Sequence, residues 1–96
     1  MTIEKSSTGT TMELKLAGWL DTQSSSELEE ELNALPADIL ALVIDCSELE
    51  YISSAGLRQF VAAHKKMNGE FTVKNASSEI MNVIKMTGLD KRMRFE

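Results

Sequence analysis

The stretch Ile39-Leu40-Ala41-Leu42-Val43-Ile44 constrains the fold more than any other part of this chain. It is apolar without interruption and shows no two-residue alternation. Pro36 stands just before it and Asp45 ends it. An apolar run of this length between turn residues suits a strand covered on both faces, the central position of a parallel sheet in an α/β protein. A bilayer span takes ~20 apolar residues, so the run is no membrane segment and no membrane partner is expected.

The flanking segments supply the rest of such a sheet. Residues 2–6 read as a short strand and Ser7-Thr8-Gly9-Thr10 as a turn. Met12, Leu14 and Leu16 alternate with Glu13 and Lys15, the period of a strand with one wet face, and Gly18 is expected to end it. Residues 2–18 thus form an antiparallel hairpin. Leu28, Leu32 and Leu35 recur at spacings of four and three, which predicts an amphipathic helix over 24–34. Ser26-x-x-Glu29 offers it a capping box, and Pro36 stops it. Ser54 begins a second helix with Leu57, Phe60, Val61, His64 and Met67 at helical spacing, and Asn68-Gly69 terminates it. Phe71 and Val73 alternate with polar neighbours in a further strand. Ser77 can cap a third helix that stops at Gly88, and Leu89–Glu96 adds a short strand or an extra turn. The expected architecture is one α/β domain over residues 1–96. Its sheet is mixed and mostly parallel, with four to five strands, an N-terminal antiparallel hairpin and about three helices.

Composition narrows the function. Ten Lys and Arg against fifteen Asp and Glu leave a net charge of −5, the opposite of what a nucleic-acid binder carries. The single Cys excludes an intramolecular disulfide and any multi-Cys metal site. No spaced His/Cys/Asp set and no GxGxxG or Walker pattern is present, so no cofactor or metal is expected. Cys46 reads as a small buried thiol. His64, the only His, lies ten helical residues from Ser54, about 15 Å, too far for a nucleophile–base pair. A hydrolase or transferase built on Ser54 or Cys46 therefore lacks a base, and a chain this short has little to spare for the walls of a deep pocket. No enzyme activity is expected. The opening MTIEKSSTGTT has no apolar h-region, so a cytoplasmic location is expected. Glu27, Glu29, Glu30 and Glu31 read as a solvated helix face.

The segment Leu49–Arg58 carries the chemistry. It places two hydroxyls, Ser53 and Ser54, where the chain enters a helix. Backbone N–H groups there lack intrahelical partners and the helix dipole is positive. A serine at such a point either caps the helix or carries a phosphate that the same N–H groups can receive, and local physics leaves both open. Gly56 lets another surface approach closely.

Four segments taken in order resemble the STAS domain, in particular the small single-domain anti-sigma factor antagonists of bacteria. They are Leu16-Ala17-Gly18-Trp19-Leu20-Asp21, Leu42-Val43-Ile44-Asp45-Cys46-Ser47, Tyr51-Ile52-Ser53-Ser54-Ala55-Gly56-Leu57-Arg58 and Met86-Thr87-Gly88-Leu89-Asp90-Lys91. In that family the phosphorylated residue typically lies in Asp-Ser-[Ser/Thr]-Gly-Leu. Alignment on Gly56-Leu57 puts Ser54 at the phosphoacceptor, with Ser53 in place of the acidic residue and second choice for modification. The resemblance also implies a partner-binding surface drawn from Asp21, Trp19, Ser53, Ala55, Gly56 and Arg58. Asp21 is either part of that contact or a turn residue, and Trp19 is either an exposed hot spot or packed on the sheet edge. Asn75-Ala76-Ser77 borders the same end of the sheet if the strand order is the family's, although Ser77 reads first as a cap.

The function the resemblance implies is partner switching. An anti-sigma factor that is also a serine kinase binds the unmodified antagonist and so frees a sigma factor for transcription. Phosphorylation from ATP expels the antagonist, and a metal-dependent serine phosphatase restores it. The free protein is expected to be a monomer. The alternative is a STAS scaffold or interaction module in a signalling complex, without phosphate chemistry.

Overall fold

The structure is a computed structural model that describes residues 1–96. Its sheet has five strands, β1 (Thr2–Thr8), β2 (Thr11–Leu20), β3 (Ala41–Ile52), β4 (Phe71–Lys74) and β5 (Arg94–Phe95), in the order β1-β2-β3-β4-β5. The first pair is antiparallel and all later pairs are parallel. Helices α1 (Ser25–Asn33), α2 (Ser54–Lys66) and α3 (Ser78–Met86) make the crossovers. This is the mixed, mostly parallel α/β architecture that the sequence predicts. The tail forms both expected features, a 3-10 turn at Leu89–Lys91 and then β5.

Side chains in register decide where the core sits. Leu14, Ile44 and Val73 line up across three strands, and Leu42 lies beside Phe71. They are buried together with Leu28 and Leu32 of α1, Leu57 and Phe60 of α2, and Ile80 and Ile84 of α3, all in one cluster. Each parallel crossover steps in the same direction along the sheet, and right-handed crossovers that do so put their helices on the same side. The other face carries Glu4, Lys15, Asp45 and Lys74 in one cross-strand row of alternating sign. Lys74 pairs with Glu13 at 2.8 Å and Lys15 with Glu48 at 3.4 Å.

The expectation of a strand covered on both faces is therefore corrected. Ile39 is buried but precedes β3, Leu40 is 64% exposed, and Ala41 and Val43 are only half-buried on the charged face. The strand bounds also change. Gly18 does not end β2, which continues to Leu20, and β3 runs past Asp45 to Ile52. Two register shifts explain this. Lys15 faces Asp45 but Ala17 faces Glu48, and Gly18 faces Leu49 but Trp19 faces Tyr51, so β3 takes in one extra residue at each. Gly18 has φ +97°, which L side chains rarely adopt, so the position between the two shifts calls for glycine. The second shift leaves Leu20 and Ile52 turned into the core and Trp19 and Tyr51 exposed.

The helix starts refine the caps. α1 begins at Ser25 after Ser24, and Ser26 forms no capping box. Its hydroxyl donates instead to the Gln23 carbonyl at 2.8 Å. Ser77 caps α3 as expected, accepting from the Ile80 N–H at 3.2 Å.

Candidate functional site

The site stands where β2 and β3 end and α2 begins. The Ser53 N–H donates to the Leu20 carbonyl at 2.9 Å and ties the two strand ends to the helix start. Ser53 is the N-cap, extended at φ −97° and ψ 173°, and its hydroxyl accepts the Gly56 N–H at 3.2 Å. Ser54 is the first helical residue. It is exposed, and its hydroxyl makes no hydrogen bond within the chain. Ser53 thus caps the helix, and the Ser54 hydroxyl stands free. The first turn of α2 holds no acidic residue, so nothing in it offsets the positive end of the helix dipole.

Gly56 is buried for a geometric reason. A Cβ there would lie 2.7 Å from Leu20 Cγ and 2.9 Å from Leu20 Cδ2. The close approach that the sequence suggests is made by the chain's own β2. Ala55 is buried as well, at 8% exposure. Ala55 and Gly56, expected on a partner surface, are therefore buried and expose almost no side chain there. Arg58 lies one turn beyond Ser54, exposed and without an ion pair.

Asp21 is a turn residue. Its Oδ1 accepts from the Ser24 N–H at 2.9 Å and lies 2.9 Å from the Ser24 hydroxyl, while Ser24 Oγ accepts the Asp21 N–H at 2.9 Å. The same hydroxyl donates to the Trp19 carbonyl at 2.7 Å. Hydrogen bonds from the Ser24 backbone and side chain hold the Asp21 carboxyl below its usual pKa. The lock fixes the backbone that presents Trp19, which is 58% exposed and not packed away at the sheet edge. Its ring lies 5.1 Å, centroid to centroid, from that of Tyr51, itself 43% exposed. Tyr51 lies outside the partner surface that the resemblance implies. Its pairing with Trp19 depends on the second register shift, and no local pattern announces that shift.

Asn75 and Ser77 have structural tasks. Asn75 Nδ2 donates to Asp45 Oδ1 at 3.3 Å, and Ser77 is the α3 cap. Burial is the largest single influence on the Asp45 carboxyl and pushes its pKa up. The Ser47 N–H, Asn75 and the Lys74 charge together outweigh it and leave the pKa lowered.

Other chemistry finds little support. Cys46 is 1% exposed, and burial, with the Asp45 charge second, pushes its thiol up to about 12. In native protein at pH 8 this thiol should resist a disulfide reagent such as DTNB and react fully once guanidinium unfolds the chain. Rapid native-state colour would show that the β3 core opens readily. His64 is half-buried, edge-on to Phe71 at 6.3 Å. No group of three or more His, Cys, Asp or Glu is placed to hold a metal. Ser54 borders a shallow hollow of about 240 Å³ together with Leu57, Arg58, Val61, Thr87 and Leu89. No helix is long and apolar enough to cross a membrane.

Comparison with known proteins agrees with this geometry. The family model described as Mlab, STAS domain, matches residues 3–95. The anti-sigma-F factor antagonist RsfB of Mycobacterium tuberculosis (strain CDC 1551 / Oshkosh) is 34% identical over 84 residues, covering 84% of this chain and 69% of RsfB. The crystal structure of an anti-sigma factor antagonist from Mycobacterium paratuberculosis superposes with a TM-score of 0.87 at 30% identity, over 98% of this chain and 83% of that one. Bacillus SpoIIAA in its phosphorylated form shares the fold with a TM-score of 0.69 at 16% identity, over 99% of this chain and 91% of SpoIIAA.

Proposed function

The chain belongs to the STAS-domain family, among the anti-sigma factor antagonists, and from that premise we propose that it works as a phosphorylation-controlled partner switch. Unmodified, it binds an anti-sigma factor serine kinase and so releases a sigma factor for transcription. Phosphorylated on Ser54, it is expelled, and a serine phosphatase restores it. It acts in the cytoplasm as a single unit over residues 1–96, monomeric when free, with no catalysis of its own. The docking surface centres on Ser54, with Arg58 one turn along α2 and with Trp19 held by the Asp21 turn. Tyr51 joins this surface through its contact with Trp19.

The observation that carries the reading is the exposed Ser54 hydroxyl at an uncompensated helix N-terminus whose cap is already supplied by Ser53. A phosphate adds about −1.5 to −2 charge to that point. The helix dipole favours the charge in the free protein, while a docked partner has to desolvate it. A tenfold loss of affinity takes only ~1.4 kcal/mol, so one phosphate suffices without any change of fold. Bacillus SpoIIAA, which shares this fold, occurs in a phosphorylated form.

The test is intact-mass measurement after incubation with ATP and a purified anti-sigma factor serine kinase. Wild type and Ser53→Ala should gain one phosphate and Ser54→Ala none. Unimpaired phosphorylation of Ser54→Ala would move the site elsewhere, with Ser53 the first place to look. A scaffold without phosphate chemistry would show no mass change in any of the three.

A further inference from the structure

We propose that the furrow between α2 and the segment Thr87–Met93 docks an acidic, amphipathic segment of a partner protein. The hollow beside Ser54 and a second one of about 370 Å³ share Val61 and Leu89, so together they run along α2 from Ser54 to Met93. Val61 and Leu89 form a half-buried apolar floor that rests on the core. Arg58, Lys65 and Arg92 stand exposed along its rim.

The charge pattern selects the occupant. Lys5, Lys15, Lys74 and Arg94, the four basic residues of the strands, each hold an ion pair. The other six of the ten, Arg58, Lys65, Lys66, Lys85, Lys91 and Arg92, hold none, and all lie on α2, on α3 or just after it. No Asp or Glu occurs between Tyr51 and Gly69. Glu79 and Asp90, the carboxylates of α3 and the 3-10 turn, line neither hollow. A chain of net charge −5 thus keeps six basic side chains without an ion pair on this side of the fold, and three of them, Arg58, Lys65 and Arg92, edge the furrow.

Carboxylates for the rim and apolar side chains for the floor must come from the same partner segment. The helix α1 of a second copy does not provide both. The acidic helix of this chain is α1, but its Leu28 and Leu32 are 0% and 4% exposed in its own core. The furrow rests on the partner-switch reading in one respect: Ser54 lines its upper end, so a phosphate there would set like charge against the incoming carboxylates beside Arg58.

The test titrates ¹⁵N-labelled protein with a synthetic helical peptide of Leu and Glu, and with the same peptide bearing Lys for Glu. The acidic peptide should shift amides of α2 and residues 87–93, bind at least tenfold better than the basic one, and weaken as salt rises. The triple variant Arg58→Glu/Lys65→Glu/Arg92→Glu should lose that preference. Its rim residues are exposed, and a melting curve checks its fold. The single variant Arg58→Gln, a milder change, should weaken binding detectably. Equal affinity for the two peptides, shifts on other faces, no binding, or occupation of the furrow by a second copy in sedimentation would each overturn the proposal. Binding with no phosphorylation at Ser54 would leave the furrow standing and remove the switch, and the reverse result would do the opposite.

Discussion

Ser54→Asp is expected to weaken binding to the partner kinase by roughly 10- to 100-fold, equivalent to about 1.4 to 2.7 kcal/mol, while making the free protein more stable. The two effects share a cause. Ser54 is the first residue of α2, exposed, in a helical turn with no acidic side chain. A carboxylate there meets the positive end of the dipole, worth about 0.3–1 kcal/mol to the helix. For a chain of this size that raises Tm by a few degrees, at about 4–8 °C per kcal/mol. The same charge at an interface has to be desolvated against whatever the partner places over Ser54. Calorimetric binding read beside a melting curve separates this from damage, because a misfolded variant loses affinity and Tm together. Unchanged affinity for Ser54→Asp would mean that the partner does not cover this residue.

Gly56→Val should be the most damaging small change near the site, at about 3 kcal/mol or more of the roughly 5–15 kcal/mol that such domains have in total. Even the first added carbon falls 2.7 Å from Leu20 Cγ, and Leu20 is fully buried with no free space to enter. Leu20 also accepts the Ser53 N–H, so displacing it disturbs the N-terminus that presents Ser54. Gly56→Ala should cost less, about 1–2 kcal/mol, because alanine's better helix propensity returns about 0.5–1 kcal/mol of the overpacking cost. The clash is local, so a partner substitution should relieve it. Leu20→Ala alone opens a cavity, but combined with Gly56→Ala it should cost less than the two changes summed, by about 0.5–3 kcal/mol. Additive losses in urea unfolding would show that the strain lies elsewhere.

Elements that carry their own period are legible in the sequence. Leu14 and Leu16 mark β2, Leu28 and Leu32 mark α1, Phe71 and Val73 mark β4, and each is buried on the side its spacing indicates. What escapes a one-dimensional reading is set between strands. The two residues by which β3 outruns β2 leave no local mark, so the continuation to Ile52 and the Trp19–Tyr51 contact go unseen. The run ending at Ile44 misleads because Ala41 and Val43 borrow their polar surroundings from neighbours such as Glu13 and Thr72 in adjacent strands. At the site, the order Ser53-Ser54-Ala55-Gly56 locates the helix start to within a residue. Only the backbone geometry shows that Ser53 spends its hydroxyl on the cap, and that Ala55 and Gly56 face inward.

Sequential strand order has a consequence for what can be recognised. Sheets wound both ways open a crevice where the winding reverses, between loops that diverge to opposite sides, and small ligands settle there. This sheet never reverses, so no such crevice opens at its strand tips, where Trp19 and Tyr51 stand exposed. An exposed aromatic pair without a crevice beside it is read by a broad partner surface. Molecules meant to interfere with it should be sought among surface mimics rather than cavity fillers.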